Sequence, residues 1–231
     1  MNKITVSTAA GVAVVLGITL VGCGSNSDSG TSTTSSATTS AAATTTAASS
    51  TPAAAGDKTT INQYITDNDI AETPIKPDEP GTPTFDFPFP PGWSPAGDRT
   101  PEWAYGAIVY DQPEDPSDPP IMYAIASKLT GNVDAAKVLE YAPSQLQDLP
   151  DFTPIGDPEK ASLSGFDAVM YAGTYTNDGK KRVVAQKTVV IPGKDALFVL
   201  QLNADALDGQ QSVVIDAAKL IDEKTKITPP A

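Results

Sequence analysis

One thiol, Cys23, and no imidazole bound the chemistry open to this sequence of 231 residues. Without histidine there is no Ser-His-Asp or Cys-His nucleophile, no His-ligated metal and no imidazole pH switch. A lone cysteine makes no internal disulfide, no CxxC pair and no cysteine-based zinc site. Neither Ser-x-x-Lys nor Gly-x-Ser-x-Gly occurs. Two carboxylates about 5 Å or about 6.5–9.5 Å apart could hydrolyse a glycoside. That pairing leaves no trace in a sequence with 28 acidic residues, so a hydrolase stays open as an alternative. The leading expectation is a protein that is not an enzyme and carries no cofactor. Fifteen basic side chains against 28 acidic ones give −13, a field that repels phosphate and argues against a nucleic-acid partner.

Cys23 stands where its type has a consequence. Lys3 and the apolar run from Ala9 to Val21 form a basic start and a hydrophobic stretch shorter than the ~20 residues that span a bilayer. Leu20-Val21-Gly22-Cys23 follows and resembles the lipobox of bacterial lipoprotein precursors. The resemblance implies a thioether between diacylglycerol and the Cys23 sulfur, cleavage after Gly22, and acylation of the new amine by a fatty acid such as palmitate. Residues 1–22 are then a signal peptide. The alternatives are a plain signal anchor or a buried free thiol. Two or three acyl chains hold a protein stably on a membrane, at ~0.8 kcal/mol per buried methylene. Loss of Lys3 leaves the mature chain at −13 − 1 = −14. Residues 23–58 are Ser, Thr, Ala and Gly almost throughout. They lack the apolar surface to offset ordering entropy and are expected to form a disordered tether reaching roughly 30 Å, as a passive spacer or an O-glycan acceptor.

The candidate binding groups lie further on. Eight of the 15 aromatic residues (Phe85, Phe87, Phe89, Trp93, Trp103, Tyr105, Tyr110 and Tyr123) fall between positions 85 and 123. Rings with an apolar face and a polar tip suit sugar stacking and lipid mouths. They equally suit a core, since large aromatics are mostly buried. Trp103, Tyr105 and Tyr123 are the candidate lining of a glycolipid pocket. Asp111, Glu114, Asp115 and Asp118 make an acidic loop without calcium-loop spacing, to be read as solvated or weakly cation-binding. Lys180-Lys181-Arg182 is the one dense basic cluster, either guarding a strand end or docking an anionic head group. No metal site is expected.

The elements that must position these groups fill residues 59–231, a span long enough for one core. Ile61, Tyr64 and Ile65 at i, i+3, i+4 predict a short helix capped by Thr59 or Thr60. Thirteen of the 21 prolines lie between 74 and 120 and exclude a long helix there. Thr84–Phe87, Ala104–Tyr110 and Pro120–Ser127 read as strands. A helix from Asn132 or Asp134 to about Leu149 should kink or restart at Pro143. Alternation over Phe166–Thr176, the turn Asn177-Asp178-Gly179 and a strand over Arg182–Ile191 predict a hairpin. Another strand spans Ala196–Asn203, and a one-sided stripe marks a last helix from about Asp208 to Glu223. The fold class is α+β: a meandering antiparallel sheet flanked by helices.

Thr60-Ile61-Asn62-Gln63-Tyr64-Ile65, Thr73-Pro74-Ile75, Phe89-Pro90-Pro91-Gly92-Trp93, Pro119-Pro120-Ile121 and Gly165-Phe166-Asp167-Ala168 occur in an order that resembles the LpqN/LpqT family of mycobacterial cell-envelope lipoproteins. The likeness also takes in the lipobox and tether. It implies a PsbP-like fold and a non-enzymatic protein, lipid-anchored outside the cytoplasm in the cell envelope. It further implies binding of a trehalose-mycolate glycolipid, support of envelope lipid transport, and contact with an RND-type mycolate exporter or mycolyltransferases. A ligand-free adaptor between such envelope proteins is the alternative. No catalytic motif comes with the resemblance.

Overall fold

The computed structural model describes residues 59–230. The expected signal peptide, Cys23 and the tether lie outside the described residues. In chain order the elements are α1 (Ile61–Asp67), β1 (Ala71–Pro74), β2 (Thr84–Asp86), β3 (Trp93–Pro95), β4 (Gly106–Tyr110), β5 (Ile121–Thr130), α2 (Ala135–Tyr141) and α3 (Ser144–Gln147). There follow β6 (Thr153–Pro154), β7 (Glu159–Leu163), β8 (Phe166–Asn177), β9 (Lys180–Pro192), β10 (Leu197–Leu207), α4 (Gln211–Lys224) and β11 (Lys226–Thr228). The architecture is α+β around an antiparallel sheet. Among the described residues no helix is long and apolar enough to cross a membrane.

Local signals explain most element ends. The Thr60 hydroxyl accepts from the Gln63 amide and starts α1. The Asp134 carboxylate accepts from the amides of Ala136 and Lys137 and starts α2. Pro143 cannot donate into that helix, so α2 ends at Tyr141 and a new turn, α3, begins at Ser144. Asp178 and Gly179 both take positive φ, at 49° and 72°, and close the β8–β9 hairpin with Asn177 opposite Lys180.

The sheet runs β3-β4-β5-β10-β9-β8-β6, with β1 beside β4 along one edge of β5 and β7 beside β6 along one edge of β8. This is not the simple meander the sequence suggested. After β5 the chain crosses under the sheet through α2 and α3 and re-enters at the far edge. The β8-β9-β10 meander then fills the gap, so β10 pairs with both β5 and β9. The central strands are consequently covered on both faces. On the back, Leu129, Val190 and Val199 pack against Ile61, Tyr64, Val138 and Ala142 of α1 and α2. On the front, Ala204 and Ala206 lie under Val214, Ala217 and Ile221 of α4. Further along the front, Ala124, Val189, Ile191, Phe198 and Leu200 lie with Ile227 and Phe85 of the β2–β11 ribbon. Each fully buried aliphatic side chain contributes ~1.5–3 kcal/mol of transfer free energy, which makes this core the main source of stability.

Candidate functional site

A hollow opens on the front face where α4 and the β2–β11 ribbon part. Its volume is about 340 Å³. Gly106, Ile108, Met122, Ala124 and Leu202 form the floor, Ile221 of α4 one wall, and Phe85, Phe87, Pro88 and Phe89 the other. The second wall follows from local sequence. Phe85 pairs in register with Ile227, which fixes it inward. Prolines 88, 90 and 91 then stop the ladder, so the chain turns over the floor instead of extending it. The Phe85 and Phe87 rings stack at 5.8 Å, and Tyr105 meets Phe85 edge-on at 5.1 Å. Phe89 stands at the rim with 61% of its surface exposed.

Tyr105 is held by backbone as well as rings. Its amide donates to the Ala124 carbonyl at 2.8 Å, and the Lys76 ammonium donates to the carbonyls of Glu102 and Ala104. Burial, with Asp78 adding to it, raises the Tyr105 pKa, so the phenol is neutral and can donate or accept at any physiological pH.

The three rings singled out from sequence do not form one wall. Tyr105 lines the hollow. Tyr123 borders it from β5, between Met122 and Ala124, but strand alternation turns its ring to the back face. There it meets Trp103 edge-on at 5.4 Å, and burial followed by the charge of Asp205 raises its pKa. Trp103 is 55% exposed and is not among the lining residues. Phe85, Phe87 and Phe89, noted in the sequence only as part of an aromatic-rich stretch, supply the wall instead. Leu202 and Ile221 had no sequence signal beyond belonging to a strand and a stripe.

The acidic loop and the basic cluster turn out to be partners. Arg182 donates to both oxygens of Asp118, at 2.9 and 2.8 Å, and to Asp205. Lys180 reaches Asp118 at 3.0 Å and Asp115 at 3.4 Å, and Lys181 lies 3.5 Å from Asp208. The Tyr175 hydroxyl donates to Asp205 at 2.5 Å. Burial of Arg182 works to lower its pKa, but the hydrogen bonds to Asp118 and Asp205 outweigh it and the guanidinium is held charged. Conversely, the Arg182 hydrogen bond holds Asp118 below the usual carboxylate range. This network clips the proline-rich loop to the β8–β9 hairpin and occupies the cations that could have met an anionic head group. Among the described residues no cluster of three or more acidic side chains gathers as metal ligands.

A second hollow, a groove of about 710 Å³, lies on the back between α2–α3 and β7–β8. Leu139, Pro143 and Val169 share it with Glu140, Lys160 and Asp167. Its mixed charge makes it a poorer shelter for an acyl chain than the aromatic hollow in front.

Comparison with known proteins places this geometry in a lineage. The family described as probable lipoprotein LpqN matches residues 57–228. Lipoprotein LpqN of Mycobacterium tuberculosis (strain ATCC 25618 / H37Rv) is 56% identical over 227 residues, 96% of this chain and 98% of that protein. The crystal structure of LpqN involved in cell envelope biogenesis of Mycobacterium tuberculosis superposes with a TM-score of 0.71 at 53% identity, over 75% of this chain and all of that one. The chain belongs to the LpqN lipoprotein family.

Proposed function

We propose that this protein is a lipid-anchored accessory factor of the cell envelope that shelters the apolar part of an amphipathic glycolipid in the front-face hollow. The observation that carries this reading is the hollow itself: an apolar cavity walled by Phe85, Phe87 and Tyr105, in a strongly acidic protein, with Phe89 exposed at its rim. Acyl chain would displace water from Ile108, Leu202 and Ile221, at ~25 cal/mol per Å² of apolar surface covered. A sugar head would stack on Phe89 outside. A trehalose-mycolate lipid has this two-part chemistry. The related crystal structure, described as involved in cell envelope biogenesis, supports the setting.

Acylated Cys23 would hold the molecule on a membrane, and the tether would let it reach an RND-type mycolate exporter or a mycolyltransferase. The role is binding and hand-over, with no bond made or broken by this chain. Two experiments test it. Metabolic labelling with a clickable palmitate analogue should mark the wild-type chain and spare Cys23→Ser; an unlabelled wild type would refute the anchor. Lipid extracted from protein purified from its own host should contain a glycolipid, and should not when Ala124→Phe blocks the floor. A bare wild-type protein that co-purifies with envelope enzymes would favour the ligand-free adaptor.

A further inference from the structure

The front face has an uncovered half. Five large apolar side chains are exposed among the described residues, and three of them, Ile155, Met170 and Ile215, fall on one side of α4. Register fixes two of the three. Met170 stands opposite Lys187, whose ammonium bonds to Asp222 of α4 at 2.6 Å, so Met170 points to the α4 face. Ala172 follows two residues on, opposite Ala185, on the same face. The Ile155 amide donates to the Ala172 carbonyl at 2.9 Å, continuing the β6 register and setting Ile155 across from Ala172. Ile215 precedes Asp222 by seven residues, two helical turns, and so shares the flank of α4 that leans towards β9 and β8.

The strip has the dimensions of a missing element. Beyond β9 the front face still offers β8 and the β6–β7 edge, about 10 Å of sheet at ~4.8 Å per strand. That is the spacing at which one helix lies beside another, ~8–10 Å. Lys187, 8% exposed and bonded to Asp222, stands between this strip and Leu202 of the glycolipid hollow, so the strip is a separate surface. Its rim is acidic. Glu159 sits opposite Met170, and neither Glu159 nor Asp157 forms an ion pair among the described residues. Two lysines lie nearby, each beside a carboxylate of its own in an exposed pair, Lys219 at 3.9 Å from Asp216 and Lys181 at 3.5 Å from Asp208.

We infer that this strip docks an amphipathic helix of a partner protein, apolar side down on Ile155, Met170, Ala172 and Ile215, with Lys or Arg on the flank that meets Glu159 and Asp157. The helix would lie alongside α4 as a further member of the front layer. The inference is independent of the glycolipid reading, because it uses different residues.

Methyl NMR of the mature-length chain carrying Cys23→Ser, labelled at Met and Ile, tests it with a helical Leu/Lys peptide of one apolar face and its Leu/Glu counterpart. Once the leader is gone, Met122 and Met170 are the remaining methionines and report the two surfaces separately. The Leu/Lys peptide should shift Met170, Ile155 and Ile215 and leave Met122, Ile108 and Ile221 in place. Met170→Lys with Ile215→Lys should weaken it about tenfold or more. Shifts confined to the hollow, no shift at all, or equal shifts with the Leu/Glu peptide would overturn the inference. Concentration-dependent shifts of the same three methyls without peptide would assign the strip to a second copy, and their movement on deleting residues 24–58 would assign it to this chain's own tether. Either result would overturn it too.

Discussion

Replacing Asp205 by asparagine should be among the most damaging single exchanges in the domain. The side chains of Arg182 and Asp205 are 9% and 13% exposed, so the pair is nearly desolvated. Asp205 accepts from Arg182 and also from the Tyr175 hydroxyl. Removing one partner of a buried pair costs ~3–5 kcal/mol, because the remaining charge stays buried without its match. Asp118 still grips Arg182 here, which places the expected loss near the lower bound, about 3 kcal/mol. At a urea dependence of ~2 kcal/mol per M the midpoint should fall by about 1.5 M. Arg182→Leu combined with Asp205→Leu removes both charges of the pair while leaving Asp118 to Lys180 alone, and should cost less than the sum of the two single exchanges to leucine. The reasoning fails if Asp205→Asn costs under ~1 kcal/mol, or if the double exchange costs as much as the sum of the two singles.

Three further outcomes follow from the same structure. Gly173→Ala should destabilise by at least ~2 kcal/mol in urea melts, because the added methyl would lie 2.3 Å from the Phe152 ring and 2.7 Å from the Thr153 carbonyl. The depressed pKa of Asp118 makes its contribution to stability complete above the unfolded value of ~3.9 and progressively lost as pH falls through the lower folded value. Urea midpoints of the wild type should therefore fall more steeply below about pH 4 than those of Asp118→Asn; parallel curves would contradict this. Asp134→Ala should cost about 1 kcal/mol by uncapping α2, measured the same way, and Asp134→Ser much less.

What the sequence made legible was local. The stripe Ile61, Tyr64, Ile65, the restart at Pro143 and the Asp178-Gly179 turn each depend on a few neighbouring residues, and each appears in the structure as expected. Pairing between distant short strands was not legible. Thr84–Phe87 alternates and reads as a strand, as Thr84–Asp86 proves to be, but its partner Lys226–Thr228, some 140 residues later, is a triplet too short to show a pattern. Glu159–Leu163 ends in the turn pair Ser164-Gly165, both at positive φ, a pair that marks a hairpin only when a strand is recognisable on each side of it. The candidate site was legible only as an aromatic concentration. Which rings share a wall depends on strand parity and on where prolines end a ladder, and parity sends Tyr123 to the face opposite Tyr105. The opposed acidic and basic segments show the same limit. Each reads as a surface feature until the β5 and β9 ends bring them together.

Titration of the mature-length Cys23→Ser protein with a trehalose monoester, followed by the methyl resonances of Met122, Ile108 and Ile221, tests the central claim most directly. Saturable shifts at these three, abolished by Ala124→Phe with the fold intact, are the expected result. Unchanged methyls at saturating lipid, or shifts that survive a blocked floor, would show that the front-face hollow is not where an amphipathic glycolipid is held.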